Sequence, residues 1–180
     1  MNSGARIVLA VSNRVDAVCL FVAKAALAGM VVVIGIQVVA RYGLSYPPGW
    51  TEELARYLMV WGGLLGATAA FRRGVDPAVV TPAPDGKGTL AAAGKIMLAV
   101  TVLIFVCPIL YYSIFGPGFD LARSFLTRNY ARTSSGLGLN LVFIAAAIPT
   151  FCLVILLHLA ARLIAGPLRS QVPKNAADII

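Results

Sequence analysis

Four stretches of this 180-residue chain are apolar for long enough to cross a lipid bilayer, and no other feature narrows its possible folds so far. A hydrocarbon core about 30 Å thick requires about 20 helical residues. Residues 17–40, 54–71, 96–115 and 139–159 meet that length. Each run is continuously apolar and lacks the period-two alternation that the lipid-facing and lumen-facing positions of a barrel strand demand. The expected fold class is therefore an all-α membrane protein with four transmembrane helices, in a single membrane domain over residues 1–180.

Composition supports the same reading. Hydrophobic residues make up 59% of the chain and charged residues 12%. A water-soluble domain of this size leaves much of its surface wet and needs polar residues to cover it. The formal net charge is +8, but Lys and Arg are scattered at the ends of the apolar runs and form no basic stripe, which excludes a nucleic-acid partner and points to membrane lipids. Cys19, Cys107 and Cys152 lie inside apolar runs without CxxC spacing, so neither a redox pair nor a metal site is expected. The apolar stretch that follows Arg14 and Asp16 runs to Ala40, too long for the core of a signal peptide, and the first span is expected to stay in the mature protein.

Orientation follows from the basic residues near the span ends. With the N-terminus inside, the cytoplasmic side carries Arg6, Arg14, Arg72, Arg73, Lys87, Lys95, Arg162, Arg169 and Lys174, against Arg41, Arg56, Arg123, Arg128 and Arg132 outside. This balance favours N-in and C-in, with a cytoplasmic loop at 74–94 and periplasmic loops at 41–53 and 116–138. Lys24 is inside the first apolar run, where its long stem can reach toward the nearer interface. The inner loop holds Pro77, Pro82, Pro84, Gly86 and Gly88, the composition of a flexible connector. The second outer loop starts Gly116-Pro117-Gly118 and continues with Phe119, Leu121, Phe125 and Leu126 among Asp120, Arg123 and Arg128; it reads either as an interfacial amphipathic segment or as a solvated loop.

The most informative segment runs from Arg41 to Gly74. Pro47-Pro48 closes the first outer loop, and Thr51 is placed to cap the second helix, with Glu52 and Glu53 in its first turn where the helix dipole favours negative charge. Arg56 stands four residues after Glu52 and three after Glu53, so an ion pair is expected at the helix start. Trp50 and Tyr46 suit an aromatic belt. Trp61 lies about 15 Å further along the helix and is expected to pack between helices, with its indole N–H seeking a partner. Gly62, Gly66 and Ala70 repeat at four-residue spacing, flanked by Gly63 and Ala67, and this flat stripe suits close contact with another helix, internal or between subunits.

Coupling residues are scarce. Apart from Lys24, Arg56 and His158, which most simply marks an interface, no ionisable side chain sits inside a predicted span, and Gln37 is the main polar intruder. Ion-coupled transporters place carboxylates or histidines at mid-membrane. Pro108 and Pro149 are single kink candidates and do not make the paired broken helices of a substrate site. No nucleophile, acid–base or metal set accompanies Glu52, Glu53 and Arg56, so the chain is not expected to be an enzyme or to hold a cofactor. The rival reading is a self-contained small homo-oligomeric transporter or channel, which would draw on Gln37, His158 and hydroxyls such as Thr101.

Arg41-Tyr42, then Trp50-Thr51-Glu52-Glu53-Leu54-Ala55-Arg56-Tyr57, Trp61, Leu65-Gly66-Ala67, Ala70 and Arg72-Arg73-Gly74 resemble the signature of the small membrane subunit, the Q or DctQ-like component, of tripartite ATP-independent periplasmic (TRAP) transporters. The four-span plan and the chain length are also similar. The chain departs from the pattern at Val75-Asp76-Pro77, where members often carry a histidine after the Arg-Arg-Gly turn. The resemblance implies a bacterial inner-membrane protein. It would brace a large membrane subunit that carries the sodium-driven path, and contribute to docking of a periplasmic substrate-binding protein that delivers an organic acid. The sodium gradient would act on the large subunit. In that role Trp50, Glu52, Glu53 and Arg56 would lie at the periplasmic interface and Arg72 and Arg73 at the cytoplasmic one. Arg123, Arg128 and Arg132, clustered in one outer loop, are the candidate docking face for the binding protein.

Overall fold

The computed structural model describes residues 3–46, 48–74 and 89–165. Four helices among them are long and apolar enough to cross a membrane, and the described residues form no sheet, so the expected all-α class holds. The long helices are α1 (Ser3–Gly43), α2 (Gly49–Arg73), α3 (Thr89–Ile114) and, after the short α4 (Phe125–Tyr130) and α5 (Val142–Ala145), α6 (Ala147–Ala165). In hydrocarbon a backbone polar group has no water to bond, and a helix satisfies every one of them within its own segment.

The helices run past the apolar stretches from which they were inferred. α1 has 41 residues, about 62 Å at the helical rise, because Ser12, Asn13, Arg14 and Asp16 continue the helix beyond the apolar part. α2 starts at Gly49 and takes in much of the stretch read as the first outer loop. Its entry differs from the expectation: Pro48 is the N-cap residue and no side chain caps the helix. Thr51 is fully buried and its hydroxyl donates to the Pro48 carbonyl at 2.7 Å, so it tightens the first turn and does not cap it. The exit is conventional, with Gly74 in the left-handed region at φ 68° and its N–H directed at the Ala70 and Phe71 carbonyls. Of the inner loop, residues 75–88 lie outside the described residues, Asp76 and the prolines and glycines included, whereas residues 89–94 belong to α3.

The fourth span is made of α5 and α6, which follow one another across a single turn residue, Ala146. Pro149 explains the break. It has no N–H to donate to the carbonyl of Ala145, and its ring crowds that carbonyl. The helical ladder continues on either side, with Ala146 N–H on the Val142 carbonyl at 2.8 Å and Thr150 N–H on the Ala146 carbonyl at 3.2 Å. Pro108 sits inside α3 without ending it.

α1 and α2 form the closest pair, α6 packs on α1, α2 and α3, and α3 leans mainly on α6. One small core joins Cys19, Ala23 and Leu65 with Val15, Trp61 and Val154. A second joins Val106, Cys152 and Ile155 with Phe71, Val102 and Leu110. Outside these seams the helices present bare apolar side chains, among them Phe21, Val31, Ile104 and Phe105, each more than 60% exposed. Such a surface suits lipid or another membrane chain and would not stay in water.

Between α3 and α4 the chain makes two 3-10 turns, Pro117–Phe119 and Leu121–Arg123. Ser124 accepts the Thr127 N–H at 3.1 Å and so caps α4. Phe119 and Leu121 stand exposed while Phe125 and Leu126 are half-buried.

Candidate functional site

Polar side chains gather at two levels of the bundle, one at each end of α2, with apolar packing between them.

At the start of α2, Glu52 lies exposed and its carboxylate accepts from the Arg56 guanidinium at 3.1 Å, the expected i,i+4 pair. Glu53 does something else. Its Oε2 accepts the backbone N–H groups of Gly136 at 2.8 Å and Leu137 at 3.1 Å, and its Oε1 accepts the Tyr57 hydroxyl at 3.1 Å. The loop reaches Glu53 because residues 132–141 fold back on themselves. Leu141 N–H donates to the Arg132 carbonyl at 2.9 Å and Ser134 N–H to the Leu139 carbonyl at 2.8 Å, with Thr133 and Asn140 paired between them. The turn at the tip aims two adjacent amides at the carboxylate. A Cβ on Gly136 would lie 2.6 Å from Glu53 Oε2 and 3.0 Å from the Gly49 carbonyl oxygen, so a larger residue there would displace the carboxylate. Gly49, Glu52, Glu53, Arg56, Ser135 and Gly136 border a shallow recess of about 370 Å³. Trp50 stands beside it, 38% exposed.

Arg123, Arg128 and Arg132, the residues expected to form a docking face, are exposed in the segment after α3. Arg123 pairs with Asp120 at 3.3 Å, while Arg128 and Arg132 border a separate shallow recess together with Phe125 and Asn129.

At the far end of α2, Arg72 is buried and donates to the Asn13 side-chain carbonyl at 3.1 Å. Arg73 donates to Asp16 at 3.1 Å, with Asp16 nearly enclosed. Arg162 of α6 reaches back to the Phe71 carbonyl at 2.8 Å and stacks its guanidinium 4.5 Å from the centre of the Phe71 ring. His158, near the end of the fourth span, is fully buried, and its Nδ1 is 2.9 Å from the equally buried Ser12 hydroxyl. Three helices are thus tied together at one level by Ser12, Asn13 and Asp16 of α1, Arg72 and Arg73 of α2, and His158 and Arg162 of α6.

Between these levels Trp61 packs between helices and its indole N–H donates to the Phe143 carbonyl at 3.1 Å, as its depth implied. The glycine stripe faces α1. A Cβ on Gly62 would come within 3.2 Å of Ala26 Cβ and one on Gly66 within 3.9 Å of Ala23 Cβ, so this helix contact lies inside the chain; Ala70 is half-buried on the same helix. Gly63 and Ala67 are exposed and take no part in it. Among the described residues no group of three or more His, Cys, Asp or Glu side chains is placed to hold a metal ion.

Sequence reasoning missed Ser12, Asn13, Asp16, Gly136 and Arg162. The only local sign was a carboxylate, Asp16, within a helix about to enter the apolar run; two arginines at the end of the following helix are the natural source of its counter-charge.

A bundle of four apolar helices, held by polar ties at its two ends and bare on its outer faces, defines a multi-pass membrane protein. The chain matches the family model described as tripartite ATP-independent periplasmic transporters, DctQ component, over residues 30–167, and belongs to that family. The family is a transporter component and not an enzyme family. Comparison with curated proteins and with solved structures gave no match.

Proposed function

We propose that this chain is a supporting subunit that braces a large membrane subunit, holds it in a fixed orientation in the bacterial inner membrane, and helps receive a periplasmic substrate-binding protein during sodium-coupled uptake of an organic acid. The observation that carries the supporting role is the position of the carboxylates. The described ones are Asp16, level with Arg73 at the end of α2; Glu52 and Glu53 in the first turn of α2; and Asp120 in the loop after α3. None lies midway along a span, where an ion-coupling group would be needed. In this reading the N-terminus and C-terminus face the cytoplasm, so the Asp16–Arg73 level is cytoplasmic and the Glu53 level periplasmic. Arg128 and Arg132 offer positive charge to the binding protein on the latter side, and Arg123, already paired with Asp120, contributes less. Co-expression of the tagged chain with its large subunit, followed by mild detergent extraction, tests the partnership: the two should elute together in constant ratio. Elution of this chain alone, from membranes that hold both, would contradict it.

A further inference from the structure

Lys24 stands apart from every other charge described above. It is exposed on the side of α1 away from Ala23 and Ala26, which pack on α2. The ion pairs among the described residues join Arg56 to Glu52, Arg73 to Asp16 and Arg123 to Asp120, and none involves Lys24. Its neighbours on that face are Phe21 and Val31, exposed by 73 and 66%. Ala28 lies one turn on, and at Gly35, two turns further along the same face, a Cβ would meet nothing within 4 Å.

Its depth is fixed by the ties at the end of the bundle. Asp16 lies eight residues earlier, bonded to Arg73, which places Lys24 about 12 Å further along the helix. A lysine side chain leans toward the helix N-terminus and its stem covers roughly half that distance, so snorkelling leaves the ammonium short of the polar level. An unpaired ammonium at this depth requires a partner. The chemistry that meets the need is a carboxylate on a neighbouring helix, and the apolar side chains around Lys24 are what such a helix would cover.

We infer that the Phe21, Lys24, Ala28 and Val31 face of α1 is the surface on which the large membrane subunit docks, and that Lys24 is held there by a carboxylate of that subunit. The inference rests on the reading proposed above, in which such a subunit is the partner.

The test uses the full chain co-expressed with its large subunit, with a tag on this chain. Lys24→Arg should retain the large subunit, Lys24→Met should retain several-fold less, and Lys24→Glu less than a tenth, at equal amounts of this chain in the membrane. Lysine introduced at one acidic position of a large-subunit span should rescue Lys24→Glu. A photoreactive residue at Phe21 should crosslink to the large subunit, while one at Phe105 of α3 should not. If the wild-type chain retains the large subunit but Lys24→Met does so equally and Phe21 crosslinks only to lipid, the inference is wrong and the partnership stands. A crosslink from Phe105 in place of Phe21 would also overturn it. A wild-type chain that retains no large subunit overturns both.

Discussion

The carboxylate of Glu53 lies 2.8 Å from the backbone nitrogen of Gly136, across 83 residues of sequence, and ties the entrance of the second helix to the loop that leads into the fourth span. A second amide, Leu137 N–H, completes the clasp on the same oxygen. Hydrogen bonds to a charged acceptor are stronger than those to a neutral one. The loop that carries Arg128 and Arg132 is thus tied to α2 through this side chain.

Glu53→Gln keeps an acceptor but loses the charge, and Glu53→Ala loses both. Amide hydrogen exchange over residues 134–139 should quicken by about tenfold in Glu53→Ala and by less in Glu53→Gln. Gly136→Ala should act like Glu53→Ala, because its Cβ would occupy the space 2.6 Å from the carboxylate oxygen. Unchanged exchange in all three would show that the loop is held elsewhere.

Removing Arg73 leaves the nearly enclosed Asp16 carboxylate without its ion-pair partner. Losing one member of a buried pair costs about 3–5 kcal/mol, and the partial exposure of Arg73 places this case at the low end. Arg73→Met should therefore lower the thermal stability of the detergent-solubilised protein clearly. The double variant Asp16→Leu with Arg73→Met should recover part of the loss, since no stranded charge remains. Additive losses would mean that the two residues act independently.

Gly62 and Gly66 separate by size of substituent. At Gly62 a methyl group meets Ala26 Cβ at 3.2 Å, a mild clash that the gain in helix propensity, about 1 kcal/mol, offsets. At Gly66 the nearest contact is an ordinary 3.9 Å. Gly62→Ala should be near neutral and Gly66→Ala neutral or stabilising, whereas Gly62→Leu should overpack the α1 seam and cost about 1–3 kcal/mol in melting experiments. Equal tolerance of alanine and leucine at Gly62 would show that the seam is looser than described.

If Arg128 and Arg132 receive the binding protein, replacing both with Glu should slow uptake at low ionic strength by several-fold and flatten its dependence on salt, because screening acts on the attraction that has been removed. Arg123→Glu alone should do less, given its pairing with Asp120. Initial uptake rates at varied salt decide the matter; equal salt dependence in all variants would move the docking site away from this loop.

The long helices were legible because about 20 consecutive apolar residues leave the backbone few alternatives in lipid. The Glu52–Arg56 pair was legible because helical periodicity alone brings the two together. Trp61 was legible by depth, since an indole N–H far from the interface needs an acceptor. The partners of Glu53, Asp16 and His158 were not, because each lies on a different helix or loop and no local spacing encodes that meeting. Thr51 misled for a related reason: it has the chemistry of a cap, but the helix begins earlier, at Gly49, and its hydroxyl turns back to Pro48.

In the role proposed above this chain supports transport without itself providing the path, and reconstitution in proteoliposomes puts that to the test. Initial rates of sodium-driven substrate uptake should be compared with the binding protein present and the vesicles loaded with this chain alone, the large subunit alone, or both. The account predicts no uptake by this chain alone, weak or no uptake by the large subunit alone, and full uptake only with both. Uptake by this chain alone, or full uptake by the large subunit without it, would contradict the account.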